Sequence, residues 1–114
     1  MECIFCKIAG GSVPTRMVFE DPDIIAFSDI NPKAPIHILV LPREHIQSIV
    51  ELKENHARLI AKLITTARDI AARRNLAGYK LVFNVGRAGG QMIDHLHLHL
   101  LGGWTKSEDR SVNV

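Results

Sequence analysis

The sequence lacks a long hydrophobic run, a leader-like N-terminus and a dense cluster of basic residues. None of its apolar stretches reaches the length of about 18 residues that a membrane-spanning helix needs. The opening residues, "MECIFCKIAGG", have no basic segment followed by a long apolar one, so they predict no secretory signal. The net charge is only +2, with Lys and Arg scattered along the chain, which argues against a nucleic-acid partner. We therefore expect a cytoplasmic protein that binds neither membranes nor nucleic acid.

Cysteine is scarce, and its placement is informative. Cys3 and Cys6 are the only cysteines, and they form a Cys-x-x-Cys pair. In a reducing compartment this spacing favours a metal-binding or redox role over a structural disulfide. The alternative is that both are small buried apolar side chains.

The length and composition indicate one globular domain spanning residues 1–114. A chain of 114 residues can bury one hydrophobic core but not two. With 46% hydrophobic and 23% charged residues, the composition excludes the disordered and fibrous classes. No internal repeat, low-complexity tract or linker divides the chain.

The pattern of apolar residues predicts an α+β domain built on an antiparallel sheet. From Arg43 to Ala77 the chain has no Gly or Pro, and apolar residues recur at helical spacing, which predicts one amphipathic helix over about residues 54–75, closed by Gly78. His56 would be an exposed residue on that helix. Short β-branched and apolar runs predict five strands, at residues 17–20, 23–29, 36–42, 79–86 and 95–102.

Three of the six histidines alternate with leucines in "DHLHLHLLGG", residues 94–103. In an extended chain residues two apart are separated by about 6.6 Å and residues four apart by about 13 Å, so one metal ion could bind at most two of these histidines. At least one must act otherwise, as a nucleophile, a proton carrier or a donor to an anion. One strand face would carry His95, His97 and His99, and the other would carry Leu96, Leu98 and Leu100.

A glycine-rich segment, "NVGRAGGQ", precedes the histidines. Gly86, Gly89 and Gly90 would allow backbone N–H groups to approach a phosphate closely. The segment has neither the lysine of a P-loop nor the strand, loop and helix order of a dinucleotide-binding fingerprint. A flexible connection between two strands is the alternative.

Several blocks of the sequence together resemble the histidine triad family. "HLHLHLL" matches the His-x-His-x-His pattern followed by two apolar residues, and "IFCKI", "FEDPDIIAFSDINPKAPIHILVLPREHI" and "GGQ" resemble the nucleotide-binding, zinc-containing branch of that family. The similarity extends from Cys3 to Gly103. It implies a histidine triad fold with a five-stranded antiparallel sheet, one long helix and a short N-terminal helix, and a homodimer.

The resemblance implies a nucleotide hydrolase or transferase that cleaves purine nucleoside 5′-phosphoramidates or related adenylate adducts through a nucleotidyl-histidine. His97 would attack the α-phosphorus and His99 would donate to the phosphoryl oxygens, while His37 is the matching histidine of a neighbouring strand. The glycine-loop N–H groups and the side chains of Asn84 and Gln91 would help to hold the charge. The alternatives are a dinucleoside polyphosphate hydrolase, a nucleotide-binding interaction module with incidental hydrolysis, and a catalytic zinc hydrolase.

For the nucleotide, AMP, GMP or an adenylate conjugate, the resemblance implies a site in which Asp29 binds the ribose hydroxyls and apolar residues enclose the base. Two features depart from the family pattern. Met92 stands where many relatives have a hydroxyl or acidic group, and the tail "WTKSEDRSVNV" lacks a Trp-Pro-Pro-Gly ending. Trp104 could take the place of that ending, and the alternative is that it packs at the surface or in a dimer contact. The complete implied set is Ile4, Phe5, Ile8, Phe27, Asp29, Ile30, Leu39, Asn84, Gly90, Gln91, Met92, His97 and His99.

The resemblance also implies a zinc site formed by Cys3, Cys6, His45 and His95. Two thiolates and two imidazoles form a closed four-coordinate set, which leaves no open position for a substrate. The ion would therefore be structural. It would use His95 and leave His97 and His99 for the phosphate.

Overall fold

The computed structural model describes residues 3–105 and 107–114, which form two α-helices and five strands. Short 3-10 helices lie at Ile49–Glu51, Glu54–His56 and Arg87–Gly89. The strands are β1 (Met17–Glu20), β2 (Ile24–Ser28), β3 (Ile36–Pro42), β4 (Tyr79–Val82) and β5 (Leu98–Gly102), and the helices are α1 (Ile4–Ala9) and α2 (Ala57–Arg73).

The five strands form one antiparallel sheet in the order β1-β2-β3-β5-β4. This confirms the α+β prediction, with one long helix and a short N-terminal helix. β3 lies at the centre and is apolar at nearly every position, because both of its faces are covered.

The two faces of the sheet have different roles. One face packs against α2 through Leu63, Ala67 and Ile70, together with the strand residues Ile38 and Leu98, in the main hydrophobic core. The other face packs against α1 in a smaller cluster. On that second face Phe27, Leu39 and His99 lie side by side on β2, β3 and β5. The second face therefore presents histidine next to an apolar surface.

The long helix begins and ends differently from the prediction of residues 54–75 with Gly78 as its end. Residues 54–56 form a 3-10 turn, and α2 begins at Ala57. The helix is closed by Asn75, which has a φ of 57°, while the N–H of Leu76 donates to the carbonyl of Ala71. Asparagine accepts this left-handed conformation better than most residues, so it replaces the expected glycine.

Two predicted strands are shorter than expected. β4 ends at Val82 and not at residue 86, and β5 begins at Leu98 and not at residue 95. In the register of β3 with β5, Pro42 would lie opposite Leu96, and proline has no N–H to offer the ladder. The N–H of Leu96 donates instead to the carbonyl of Ile46, at 2.7 Å. The histidines still alternate with the leucines, but only His99 lies within the regular strand.

His56 is half-buried, which corrects the expectation of an exposed residue. Its Nδ1 accepts the N–H of Lys53 at 3.0 Å, and its Nε2 lies 3.2 Å from a carboxylate oxygen of Glu44. His56 thus helps to fix the start of α2.

No helix within residues 3–105 and 107–114 is both long enough and apolar enough to cross a membrane.

Candidate active site

A cavity of about 500 Å³ opens on the α1 side of the sheet. Helix α1, the loop after β2, the segment leading into β5 and the end of the chain form its walls. Twelve of the thirteen predicted nucleotide-binding residues line it, and Gln91 is the exception. Its lining also includes His37 and five residues that the sequence did not indicate, namely Asn31, Lys33, Ile93, Asn113 and Val114.

A hydrogen bond at Nδ1 holds the ring of His97 and leaves its Nε2 without a hydrogen. Its Nδ1 lies 2.7 Å from the carbonyl oxygen of His95, which can only accept, so Nδ1 carries the hydrogen. Nε2 therefore keeps its lone pair, and His97 lines the cavity. Burial lowers the pKa of His97, which favours the neutral ring at pH 7. The side chain is a neutral imidazole with a lone pair available to an electrophile.

The tautomer of His99 is set by a chain of hydrogen bonds that begins at Lys33. The backbone N–H of Lys33 donates to Nδ1 of His37 at 3.0 Å, so the hydrogen of a neutral His37 lies on Nε2. His37 Nε2 in turn donates to Nδ1 of His99 at 2.9 Å. A neutral His99 then has its hydrogen on Nε2. Among the described residues, His99 Nε2 is the one buried side-chain nitrogen or oxygen without a partner, so this N–H is available to a bound anion.

The surroundings of this hydrogen-bonded chain favour the neutral forms of the His37 and His99 rings. Burial lowers the pKa of His99 to about 4, with a further contribution from His97 and His37. Burial also lowers the pKa of His37, although the Asp29 carboxylate opposes the shift. That carboxylate has one oxygen 3.6 Å from His37 Nε2, and its other oxygen accepts the N–H of Asn31 at 2.9 Å. The group is thus held beside the histidines with part of its accepting capacity free.

The apolar end of the cavity is built by α1 and the central strands. Phe5 and Phe27 meet edge to face with ring centroids 5.6 Å apart. Leu39 continues this buried surface. Ile30, 92% exposed, and Met92, 79% exposed, lie at the mouth of the cavity. A flat apolar ring system would fit between these walls.

The glycine loop is arranged differently from the prediction. The N–H groups of Gly86, Gly89, Gly90 and Gln91 all donate to oxygens within the loop itself. Turn formation uses these donors, so they are not available to a phosphate as expected. Gly90 still lines the cavity, and because it has no side chain it leaves room for the carbonyl oxygen of Val114, which would lie 3.3 Å from a Cβ at this position.

The side chain of Gln91 also differs from the expectation that it helps to hold the phosphate charge. Its amide nitrogen donates to the carbonyls of Gln47 at 2.7 Å and Ile93 at 2.9 Å, and its oxygen accepts the N–H of Gly86 at 3.0 Å. Gln91 therefore holds the loop in shape and does not reach the cavity. Asn84 does line the cavity.

The sequence did not indicate that the C-terminal residues line the cavity, because no periodic pattern links them to the histidines. The ammonium group of Lys80, on β4, donates to the carbonyl of Arg110 and lies 5.7 Å from the centre of the Trp104 ring. Asn113 and Val114, which follow Arg110 in the chain, line the cavity. Trp104 and Arg110 thus both contact Lys80 of β4.

A second cluster, the four-ligand cluster, consists of Cys3, Cys6, His45 and His95. Its four ligand atoms all lie within 4.8 Å of one another. A tetrahedral zinc ion would place two imidazole nitrogens about 3.3 Å apart, and a nitrogen and a sulfur about 3.6 Å apart. The two Nδ1 atoms are 3.2 Å apart, and three nitrogen-sulfur distances are 3.4, 3.2 and 3.5 Å. These distances fit a zinc ion.

The outer nitrogen of His95 supports the same interpretation. His95 Nε2 lies 2.8 Å from the carbonyl of Pro42 and so carries the hydrogen, which leaves the Nδ1 lone pair directed at the cluster. A hydrogen bond of this kind on the outer nitrogen is the usual way to orient a metal-binding histidine.

Several known proteins are similar to this chain in sequence or in structure. A family model described as "Scavenger mRNA decapping enzyme C-term binding" matches residues 2–112. The chain is 41% identical over 101 residues to the protein HitA of Neisseria gonorrhoeae, covering 88% of this chain and 94% of that protein. It is 40% identical over 104 residues to the purine nucleoside phosphoramidase of Escherichia coli K12, covering 90% and 87%.

Solved structures show the same architecture. The crystal structure of a HIT family hydrolase from Legionella pneumophila matches with a TM-score of 0.89 and 45% identity, covering 93% of this chain and 96% of that one. A histidine triad protein from Clostridium difficile matches with a TM-score of 0.88 and 37% identity, covering 96% of each chain.

Proposed function

Because this chain belongs to the histidine triad superfamily and is a hydrolase of that family, we propose that it cleaves purine nucleoside 5′-phosphoramidates or related adenylate adducts. The observation that carries this proposal is the pairing of two complementary nitrogens in one cavity. His97 offers a free lone pair, and His99 offers an N–H with no partner. The first can attack a phosphorus atom while the second binds its oxygens.

The first step would be nucleophilic attack by His97 Nε2 on the α-phosphorus. The bond from phosphorus to the leaving nitrogen breaks, and the leaving amine takes a proton from water. Negative charge on the phosphoryl oxygens is met by the Nε2–H of His99. Because His99 accepts a hydrogen bond from His37 at its other nitrogen, its own N–H is a stronger donor. Removing one such donor costs about 10² to 10³ in rate.

In the second step water attacks the phosphorus of the nucleotidyl-histidine. The nitrogen-phosphorus bond breaks, the nucleoside monophosphate leaves and one proton passes to solvent. His97 returns to the neutral state with Nδ1–H still donating to the His95 carbonyl. That fixed hydrogen bond keeps Nε2 directed into the cavity through both steps.

The rest of the nucleotide would extend from the histidines towards α1. The Asp29 carboxylate, beside His37, is placed to accept hydrogen bonds from a ribose diol. The base would lie against Phe5, Phe27, Ile8 and Leu39, with Ile4 and Ile30 at the mouth. AMP, GMP or an adenylate conjugate has the required combination of a flat ring, a diol and a phosphate.

We further propose that the four-ligand cluster holds a structural Zn²⁺. All four positions of a tetrahedron would be filled by the protein, so the ion would bind no substrate and take no direct part in the reaction. It would tie α1 to the segments carrying His45 and His95. Metal analysis of protein purified in reducing buffer should give about one zinc per chain, and finding none would remove the zinc proposal.

We also propose a homodimer, with β4 as its contact. β4 is an edge strand of the sheet, so one side of its backbone has no partner strand within the described chain. It exposes Tyr79 and Leu81, and Val85 follows it at the surface. An apolar edge of this kind is usually covered in a folded protein.

The experiment that tests the activity is a comparison of substrates. Purified protein is offered adenosine and guanosine 5′-phosphoramidates and, separately, a dinucleoside tetraphosphate. We expect release of the nucleoside monophosphate and the amine from the first class at a much higher kcat/KM. Preference for the second class would favour a dinucleoside polyphosphate hydrolase. Nucleotide binding without turnover of either would favour an interaction module.

A further inference from the structure

We propose that metal binding at the four-ligand cluster strengthens nucleotide binding in the cavity, so that the two sites are thermodynamically coupled. The coupling presupposes the nucleotide site proposed above. It would make a thiophilic divalent cation an effector of the enzyme as well as a part of its structure.

Helix α1 belongs to both sites. Cys3 is its N-cap and Cys6 lies within it, while Ile4, Phe5 and Ile8 of the same helix line the cavity. The helix has only six residues, and a helix of that length does not form in isolation. Its position therefore depends on what holds it at each end.

The two ends of α1 are held by different contacts. At the C-terminal end the guanidinium of Arg43 donates to the carbonyl of Ala9 at 2.7 Å, and this contact involves no metal ligand. At the N-terminal end Cys3 and Cys6 meet the rings of His45 and His95. Loss of the metal would therefore remove the ligand bonds at the first turn of α1, where Ile4 and Phe5 lie.

A second link runs from a metal ligand to the nucleophile. The ring of Phe5 packs edge-on against His95 at 5.9 Å and against His97 at 5.2 Å between centroids. The carbonyl of His95 accepts the hydrogen bond that orients His97, at 2.7 Å. Fixing His95 through a metal thus fixes the group that directs His97.

The two sites also share a wall. A surface depression beside the cavity is lined by two of the ligands, Cys3 and His45, and by three residues that also line the cavity, namely Ile4, Met92 and Ile93. A nucleotide packed against that wall would hold it in place and slow the escape of the metal. Coupling between two ligands is reciprocal, so each should raise the affinity of the other by the same factor, and values of about 5- to 150-fold are typical.

The test measures binding and not turnover. Zinc-loaded protein and protein stripped with a chelator in a phosphine reductant are titrated with AMP by calorimetry, after circular dichroism has verified the fold. We expect AMP to bind about tenfold more tightly to the loaded protein. Equal affinities would overturn the coupling and leave the proposed function intact, whereas no binding to either form would overturn both.

If the stripped protein does not fold, the effect of AMP on zinc binding tests the coupling instead. Loaded protein is equilibrated with a chromophoric chelator with and without saturating AMP, and the zinc that passes to the chelator is measured. AMP should lower the apparent dissociation constant of zinc about tenfold, and an unchanged constant would overturn the coupling.

Two variants test whether the coupling between the two sites passes through α1. Phe5→Leu keeps an apolar wall but removes the ring contacts to His95 and His97, and it should reduce the effect of AMP on zinc binding to less than about threefold. His56→Asn alters a histidine outside both sites and should leave the effect unchanged. A full effect in Phe5→Leu, or an equal reduction in both variants, would contradict a route through α1.

Discussion

At the scale of single residues, the site depends on which nitrogen of each histidine carries the hydrogen. Backbone groups decide this for three of the rings. The carbonyls of His95 and Pro42 and the N–H of Lys33 each allow only one tautomer of the neutral ring that they contact. The sequence pattern predicted that the histidines would share a site, but not these partners, because each is brought in by tertiary folding.

The pH dependence of stability should report the burial of His99. Its pKa is about 4 in the folded protein, and it is about 6.5 in an unfolded chain. Between these values the unfolded chain binds more protons, so this contribution is fully present above pH 6.5 and is lost as the pH falls towards 4. From pH 7.5 to 5.0 the loss should be about 2 kcal/mol.

The measurement for this prediction is urea unfolding at the two pH values for the wild type and for His99→Asn. Any release of metal in acid is common to both proteins and cancels in the comparison. The wild type should lose more stability than the variant between pH 7.5 and 5.0. Equal losses would mean that His99 is not held neutral by burial.

Met92 is the residue at which we expect a substitution to raise kcat. It lines the mouth of the cavity and is 79% exposed, and a thioether cannot donate a proton. Met92→Ser would supply a hydroxyl near the leaving atom, so kcat on substrates with amine leaving groups should rise while AMP affinity stays the same. An unchanged or lower kcat over several leaving groups would show that this position has no such role.

At the scale of secondary structure, the sequence predicted the elements better than their ends. The helical spacing of apolar residues located α2, because one face of that helix is buried, and short β-branched and apolar runs located the five strands. The ends depend on single backbone groups. Asn75 closes α2 in place of Gly78, and β5 begins at Leu98, short of the position where Leu96 would lie opposite Pro42. The turn of the glycine loop likewise uses its own N–H groups, which a count of glycines does not reveal.

The closure of α2 can be tested at Asn75. Its φ of 57° is costly for a residue with a Cβ and no side-chain amide, and it costs glycine nothing. Asn75→Ala should therefore destabilise the protein by about 1 kcal/mol, or about 4 °C in Tm. Asn75→Gly should leave Tm unchanged or higher, as measured by calorimetry. A larger loss for glycine than for alanine would contradict the left-handed cap.

At the scale of the whole molecule, the sheet separates the main hydrophobic core from the two candidate sites. One face, with α2, forms the main core, and the other holds the cavity, the histidines and the four-ligand cluster. Twelve of the thirteen nucleotide-binding residues that the family resemblance implies line the cavity on this second face. The resemblance did not indicate Lys33, Asn113 or Val114 in the cavity, because a turn and a distant tail bring them there.

The proposed dimer makes a prediction at this scale. Leu81→Glu places a charge on the exposed edge strand β4 and should convert the protein to a monomer of 12.7 kDa in sedimentation velocity. Val50→Glu is the matched control, because Val50 is exposed on a different element and should leave the mass doubled. A dimer that persists in Leu81→Glu would show that β4 is not the contact.

The central claim is that His97 forms a bond to phosphorus, and trapping that bond tests it most directly. Protein is mixed with an adenosine 5′-phosphoramidate labelled at the α-phosphorus and quenched within milliseconds in cold alkaline denaturant, because the bond between imidazole and phosphorus is labile in acid. Mass mapping then locates the label. We expect it on His97, absent from His97→Ala, and formed about 10² to 10³ more slowly in His99→Ala. Label on His95 or His99, or a full yield of adduct in His97→Ala, would contradict the account.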